Sequence, residues 1–353
     1  MNRIRLILLS IFICLEMVAF SQQRPHFSQY IMNNFVINPA VAGIENYWDM
    51  KASHRVQWVG LQDAPVTSYV TIHGPFKKNP YGRETPTTMH ADGGNPRGQA
   101  YWDEYTKAES HLGFGATFVS DKTGPLTTNN ASASLAYHFG ISPKTSLSIG
   151  LSFGFNQLTV NREALYFGDK YKDDPVLYSE ISNDLFNKIN PDAAAGVWLY
   201  SSDYFVGISA QQLLGSKVDF YNPNPDTTIT KPRTNKGILV PHIFATAGVR
   251  MFLSEDWSFL PSLTLRAVNP LPTGVDINTK FQYKDMFWFG AGYRYQDGFN
   301  GMVGMNISNT FNIGYSYDVT TSQLNTVSRG THELLIGLLI GNKYGDWCPR
   351  NLW

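Results

Sequence analysis

The sequence predicts an all-β fold, a transmembrane antiparallel β-barrel of about fourteen strands. Three observations lead there. Apolar and polar residues alternate with a period of two in segment after segment beyond residue 48. Phe, Tyr and Trp make up 14% of the chain, yet no apolar run after residue 21 reaches the ~20 residues of a spanning helix. The chain also opens with an export signal. In a membrane barrel, lipid-facing and lumen-facing residues alternate along each strand, so apolar character hides from window averages.

The first element is the signal, residues 1–21. Arg3 and Arg5 precede an apolar run from Leu6 to Phe20, and Ala19-Phe20-Ser21 fits a small-x-small cleavage site. Cys14 falls inside it. Cleavage removes two arginines and one glutamate, taking Lys+Arg from 28 to 26 and Asp+Glu from 28 to 27, a net charge of −1. No charge excess points to nucleic acid. Cys348 is then the one cysteine, so no intrachain disulfide forms. Residues 22–47 follow as a periplasmic N-terminal segment or partial plug, in which Asn38-Pro39 favours a turn.

The barrel is expected over 48–341. In its first strand Met50, Ala52, His54, Val56 and Trp58 oppose Lys51, Ser53, Arg55 and Gln57. Strands follow near 66–75, 110–120, 130–140, 145–157, 192–201, 203–211, 240–252, 256–268, 274–283, 286–296, 299–307, 309–319 and 330–340. Such lengths suit tilted strands crossing hydrocarbon, and an even count suits a closed bacterial barrel. With the N-terminus in the periplasm, the even-to-odd connections are short and rich in turn formers, as at Ser201-Ser202 and Ser254-Glu255-Asp256. Long outside loops fall at 158–191 and 212–239. The irregular insert at 76–109 breaks the short-turn rule, and 342–353 form a C-terminal tail.

One stretch invites an enzymatic reading. Gly150-Leu-Ser152-Phe-Gly154 matches G-x-S-x-G, the elbow that presents a nucleophilic serine. That elbow needs a strand-to-helix turn. Here alternation runs unbroken through Ser152, with Leu147, Ile149, Leu151, Phe153 and Phe155 on the other face. Ser152 is therefore a small lumen-facing residue. His332-Glu333 begins like a zinc motif, but Ile336 stands where the second histidine belongs. Asp169, Asp173, Asp174 and Glu180 lack the glycine of a calcium loop, since Asp174 occupies its place. No catalytic residue, cofactor or metal is expected.

Charges are more informative. Arg55, Arg250, Arg266, Lys280, Arg294, Asp276, Asp318 and Glu333 all share the polar phase of their strands. A charge on the lipid face costs ~2–4 kcal/mol at the midplane, so this phasing supports the barrel. Buried charges must pair, so an ion-pair network bracing the interior is the expectation. Trp58, Tyr69, Trp257, Trp288, Tyr293 and Tyr317 are expected in interfacial girdles.

Three stretches carry a family resemblance: HFSQYIMNNFVINPAVAG near the start, HRVQWVGLQDAPVTSYVTIHGPF after it, and GYSYDVTTSQL with THELLIGL near the end. Together they resemble the PorP/SprF family associated with type IX secretion. The matching residues are Phe27, Ser28, Gln29, Tyr30, Asn38, Pro39, Ala40, Ala42 and Gly43, then Arg55, Gln57, Trp58, Gly60, Ala64 and Pro65. Gly314, Tyr315, Ser316, Tyr317, Asp318, His332 and Glu333 complete them. The similarity spans nearly the whole mature chain; the 76–109 insert and the CPRNLW tail depart from it.

The resemblance implies a non-enzymatic outer-membrane barrel of a Gram-negative bacterium. Such a protein assists secretion or surface attachment of a cognate adhesin carrying a C-terminal sorting domain, often in gliding motility. Other type IX secretion components and outer-membrane lipid are the further implied partners. Arg55, Gln57, Trp58, Tyr315, Asp318 and Glu333 are the motif or lumen-facing candidates, and Phe27, Gln29, Tyr30, Asn38 and Pro39 the N-terminal ones. The alternative is a porin-like channel for a small solute, which differs by conducting steadily in a lipid bilayer. A soluble two-sheet adhesin would instead extract without detergent.

Overall fold

A computed structural model describes residues 27–76, 98–99, 109–161, 187–218, 237–269, 271–284, 286–308 and 310–342. The signal peptide, the acidic residues Asp169 to Glu180, Cys348, most of the 76–109 insert and most of both long loops lie outside them. Fourteen strands form one antiparallel sheet closed on itself. We number them β1 Trp48–Val56, β2 Val66–Phe76, β3 His111–Thr123, β4 Leu126–Gly140, β5 Ser146–Val160, β6 Asn187–Tyr200 and β7 Tyr204–Gln211. Then come β8 His242–Val249, β9 Trp257–Val268, β10 Gly274–Tyr283, β11 Phe287–Arg294, β12 Gly298–Asn306, β13 Phe311–Thr320 and β14 Thr331–Ile340. Met251–Phe252 continues β8 along β9 in the same register, past a break at Arg250.

Each strand pairs with its chain neighbours, and β1 closes on β14 with Trp48 opposite Ile340 and Val56 opposite His332. Closure leaves no barrel strand with an unpaired edge, which is what lets backbone N–H and C=O groups enter hydrocarbon. Among the described residues no helix is long and apolar enough to cross a membrane. The strands cross instead.

The two-residue rhythm sorts the side chains as expected. On β5, Ile149, Leu151, Phe153 and Phe155 are exposed outward, while Ser148, Ser152 and Asn156 are buried inward. Outward aromatics cluster at both ends of the wall. Trp257 and Tyr283 lie 4.9 Å apart at the end where β1 begins, here the proximal end. Tyr293 and Phe299 lie 4.8 Å apart at the distal end. Tyr317 is also exposed, as a girdle requires. Three aromatics expected there are not: Trp58 lies past the end of β1 and lines the distal mouth. Tyr69 and Trp288 are fully buried and face the lumen, because their strand phases put them inside and the N-terminal segment covers them.

The connections are unequal, and the long one between Phe76 and His111 lies at the proximal end. At the proximal end four short links, 141–145, 201–203, 253–256 and 307–310, join neighbouring strands, and a fifth runs from Tyr283 to Phe287. At the distal end the chain between Val160 and Asn187 is shorter than the sequence suggests, because β5 and β6 extend further. A two-residue ladder, Lys217–Val218 against Gly237–Ile238, clips the stem of the other long connection.

Candidate functional site

The lumen is the site, and the chain itself occupies it. Residues 27–47 form three short 3-10 turns, Tyr30–Met32, Asn34–Val36 and Pro39–Val41, before β1 begins. Asn38 sets the last of them: its side-chain oxygen accepts from the Ala40 N–H at 3.0 Å, with Pro39 at the first helical position. Ile31, Met32, Phe35, Val36, Ile37 and Val41 are all buried, yet this segment lies in a barrel whose inner wall is polar. Its backbone is satisfied by that wall. Ser148 Oγ donates to the Ala40 carbonyl (2.7 Å), Ser209 Oγ to Ile37 (2.6 Å) and Gln211 Nε2 to Ile37 (2.7 Å). In return Asn38 Nδ2 donates to the carbonyls of Val197 and Ile208 at 3.2 and 3.3 Å.

The segment runs the depth of the barrel. Its start lies at the distal ends of β1, β13 and β14, its end at the proximal ends of β2, β3 and β4. At the distal end the Ser28 N–H donates to Glu333 Oε2 (2.8 Å), and Gln29 Nε2 to the Glu333 carbonyl (2.9 Å). Ser28 Oγ also meets Asp318 and the Arg55 guanidinium. Phe27 packs edge-on to Tyr69, with centroids 5.1 Å apart. Midway, Asn278 Nδ2 donates to the Tyr30 hydroxyl and Asn33 Nδ2 to Thr71 Oγ1. At the proximal end three histidines of the wall hold the Ala42-Gly43 peptide. His138 Nε2 donates to the Ala42 carbonyl (2.8 Å), His111 Nε2 meets the Gly43 carbonyl (3.0 Å), and the Gly43 N–H donates to His73 Nδ1 (3.3 Å).

Close fit explains the glycine of the serine-elbow look-alike. A Cβ on Gly150 would lie 2.4 Å from the Ala40 nitrogen, and one on Gly113 would lie 1.9 Å from the Ala42 oxygen. Both obstacles are backbone and cannot swing aside. Ser152 itself stands mid-strand, opposite Ser134 and Ala194, with no turn at it. Gly150→Val is therefore expected to destabilise the barrel by ~1–3 kcal/mol through overpacking. Thermal unfolding in detergent checks this, with Gly301→Ala, whose new Cβ meets nothing within 4 Å, as the unchanged control.

The charges predicted to face inward do so, and most pair. Arg55 bridges two carboxylates, Asp318 Oδ2 at 2.8 Å and Glu333 Oε2 at 3.0 Å. Arg294 holds Asp276 (3.1 Å) and Asp297 (2.9 Å). Lys51 pairs with Asp49 at 2.5 Å. Gln57 and Trp58 open the β1–β2 connection; the Trp58 N–H donates to Thr331 Oγ1 (3.2 Å), with Trp58 at φ 45°. Both line a cavity of about 290 Å³ at the distal mouth, together with Arg55 and Asp318.

Tyr315 is the exception among the candidates. It faces outward, 40% exposed, because its phase on β13 is opposite to that of Ser316 and Asp318. Its hydroxyl lies 2.6 Å from His332 Nδ1, so these two motif residues brace each other on the outer wall. The histidine trio was missed by sequence reasoning, though all three carry the inward phase of their strands. Among the described residues no group of three or more His, Cys, Asp or Glu could hold a metal ion.

Comparison with known proteins adds sequence evidence to this geometry. The family model described as type IX secretion system membrane protein PorP/SprF matches residues 19–338. No curated protein matches the chain. Solved structures with similar folds include the Acinetobacter baumannii outer membrane protein Omp33, at 9% identity and TM-score 0.44, covering 84% of this chain and 100% of that one. The Ralstonia pickettii toluene transporter TbuX gives 10% identity and TM-score 0.44, covering 87% and 92%. The KdgM porin gives 8% and 0.34, covering 82% and 98%.

Proposed function

Since the chain belongs to the PorP/SprF family of type IX secretion system membrane proteins, we propose that it is a non-enzymatic scaffold in the outer membrane of a Gram-negative bacterium. In this reading it assists the secretion or surface attachment of a cognate substrate, such as a motility adhesin with a C-terminal sorting domain. One observation carries the proposal: residues 27–47 run through the lumen from end to end, hydrogen-bonded to the wall along their length. A solute channel needs that space. A scaffold needs a rigid rim, and a packed interior supplies one. The proximal end, where both β1 and β14 meet the aqueous phase, is then periplasmic, and the long distal connections face outward.

Those connections present Tyr, Asn and Pro in FGDKYKDDPVLY and VDFYNPNPDTTITKPRTN. Such residues make adaptable contacts with little side-chain entropy to lose. Shortening either the 161–186 or the 212–241 connection is expected to move most of the secreted partner from the cell surface to the medium, with the barrel still inserted. Immunoblots of cells and medium read the outcome; a partner that stays on the cells argues against the loops. Affinity purification from gently solubilised membranes tests the reading as a whole. A secreted polypeptide or another type IX component in the eluate supports it, and steady bilayer conductance by the intact chain replaces it with the channel reading.

A further inference from the structure

The distal cavity holds one guanidinium that the lumen network engages only through a long contact. It is lined by described residues of β1, β9, β11, β12, β13, β14 and the adjoining turns, among them Arg55, Arg266, Arg294, Asp297, Asn300 and Asp318. Arg55 and Arg294 are each held by two carboxylates. Arg266 is not. Among the described residues its guanidinium makes no hydrogen bond, and its nearest carboxylate oxygen, Asp276 Oδ2, stands 3.9 Å from Nη2. Asp276 gives its closer contact to Arg294 instead. The Arg266 side chain keeps 16% of its surface and lines the cavity. A guanidinium fork in such a place is built for a planar, two-oxygen acceptor.

The geometry points to this cavity as a docking site for a carboxylate borne by a polypeptide that arrives at the distal mouth, bound in a fork by Arg266. The inference rests on the scaffold reading above and names the chemistry that the scaffold grips. The cavity's size admits a chain end or one side chain, not a through-running strand. Gln57, Trp58 and Gln296 on its rim offer amide and indole surfaces to the residues that follow the carboxylate. The site also touches the lumen segment. Arg55 and Asp318 belong both to the cavity wall and to the anchor of Ser28, so a ligand here sits against the start of that segment.

Calorimetric titration of the purified full-length mature chain in detergent tests the site with three probes: acetyl-triglycine as the free acid, the same peptide as its amide, and acetyl-Gly-Asp-Gly-amide. Binding of the free acid assigns a chain end, and binding of the aspartyl peptide assigns a side chain; either supports the site. Arg266→Gln is expected to weaken that binding at least tenfold, and Arg266→Lys to weaken it less. Measurable binding of the acid and the amide with equal affinity, binding of none of the three probes, acetate binding as well as the peptides, or an Arg266→Gln variant with undiminished affinity would overturn it. Unchanged heat-modifiable gel mobility shows that each variant remains folded. In cells, a photo-crosslinker at Asn300 should capture a secreted polypeptide, with Arg266→Gln cutting the yield at least tenfold. Co-purification of a secreted partner without that crosslink overturns the cavity alone. Failure of both overturns the scaffold reading with it.

Discussion

Deleting residues 27–43, with the signal peptide and β1 retained, is expected to turn a silent barrel into an open pore. The wall and the segment hold together through hydrogen bonds from Ser148, Ser209, Gln211, His138 and Asn38. Water can replace every one of these on the wall's side, so the emptied lumen is a hydrated channel and not an orphaned core. Closed strand pairing from β1 to β14 does not depend on the segment. Small barrels of ~8 strands fill their interior with their own side chains, whereas those of ~16–18 leave an aqueous passage. Fourteen strands fall between, which is why an inserted segment is needed to close this one. Bilayer recordings are expected to change from no steps to steady open conductance. A deleted barrel that inserts and stays silent would show that the side chains alone seal the lumen.

Arg55→Ala should have the largest effect on stability of any single wall substitution. Glu333 is fully buried, and the Arg55 guanidinium bridges it and Asp318. Without the cation, Glu333 and Asp318 face the Ser28 peptide without the guanidinium that bridges them. Removing one partner of a buried pair costs about 3–5 kcal/mol, since the remaining charge stays desolvated. The variant should unfold at markedly lower temperature or denaturant in detergent. Because Ser28 is anchored on the same three side chains, proteolysis of the lumen segment should rise in parallel. Adding Glu333→Gln and Asp318→Asn to Arg55→Ala removes the stranded charges and is expected to recover much of the loss. Arg55→Lys recovers less than the native residue, because a point charge cannot bridge two carboxylates as the fork does.

Much of this was legible in the chain. Alternation through 146–158 identifies Ser152 as a wall residue and dismisses the elbow. The common polar phase of Arg55, Asp318 and Glu333 puts them in one interior, and their coincidence with the motif stretches marks them as a site. The partial plug was expected from the crowding of motif in residues 27–43. Its path was not. Nothing local distinguishes a segment that rests at the mouth from one that traverses the lumen, since both are short turns of apolar residues. Tyr69, Trp288 and Tyr315 show a second limit. Aromatic type suggested an interfacial or lumen role, but strand phase decided the side, and phase outranks residue type in a sheet.

What the sequence determined by itself is the wall. A period of two, repeated in strands of sufficient length with turns between them, assigns each residue to lipid or lumen, because neighbouring side chains on an extended chain must point to opposite faces. Only the tertiary structure decided which lumen residues meet. Glu333 reaches Arg55 across 278 positions of sequence, and Asn38 reaches Ile208 across 170. Closure of the sheet brings such residues to one level of one narrow space. There an unpaired charge or backbone group is removed from bulk water, so side chains of the inner wall and the backbone of the segment hydrogen-bond each other.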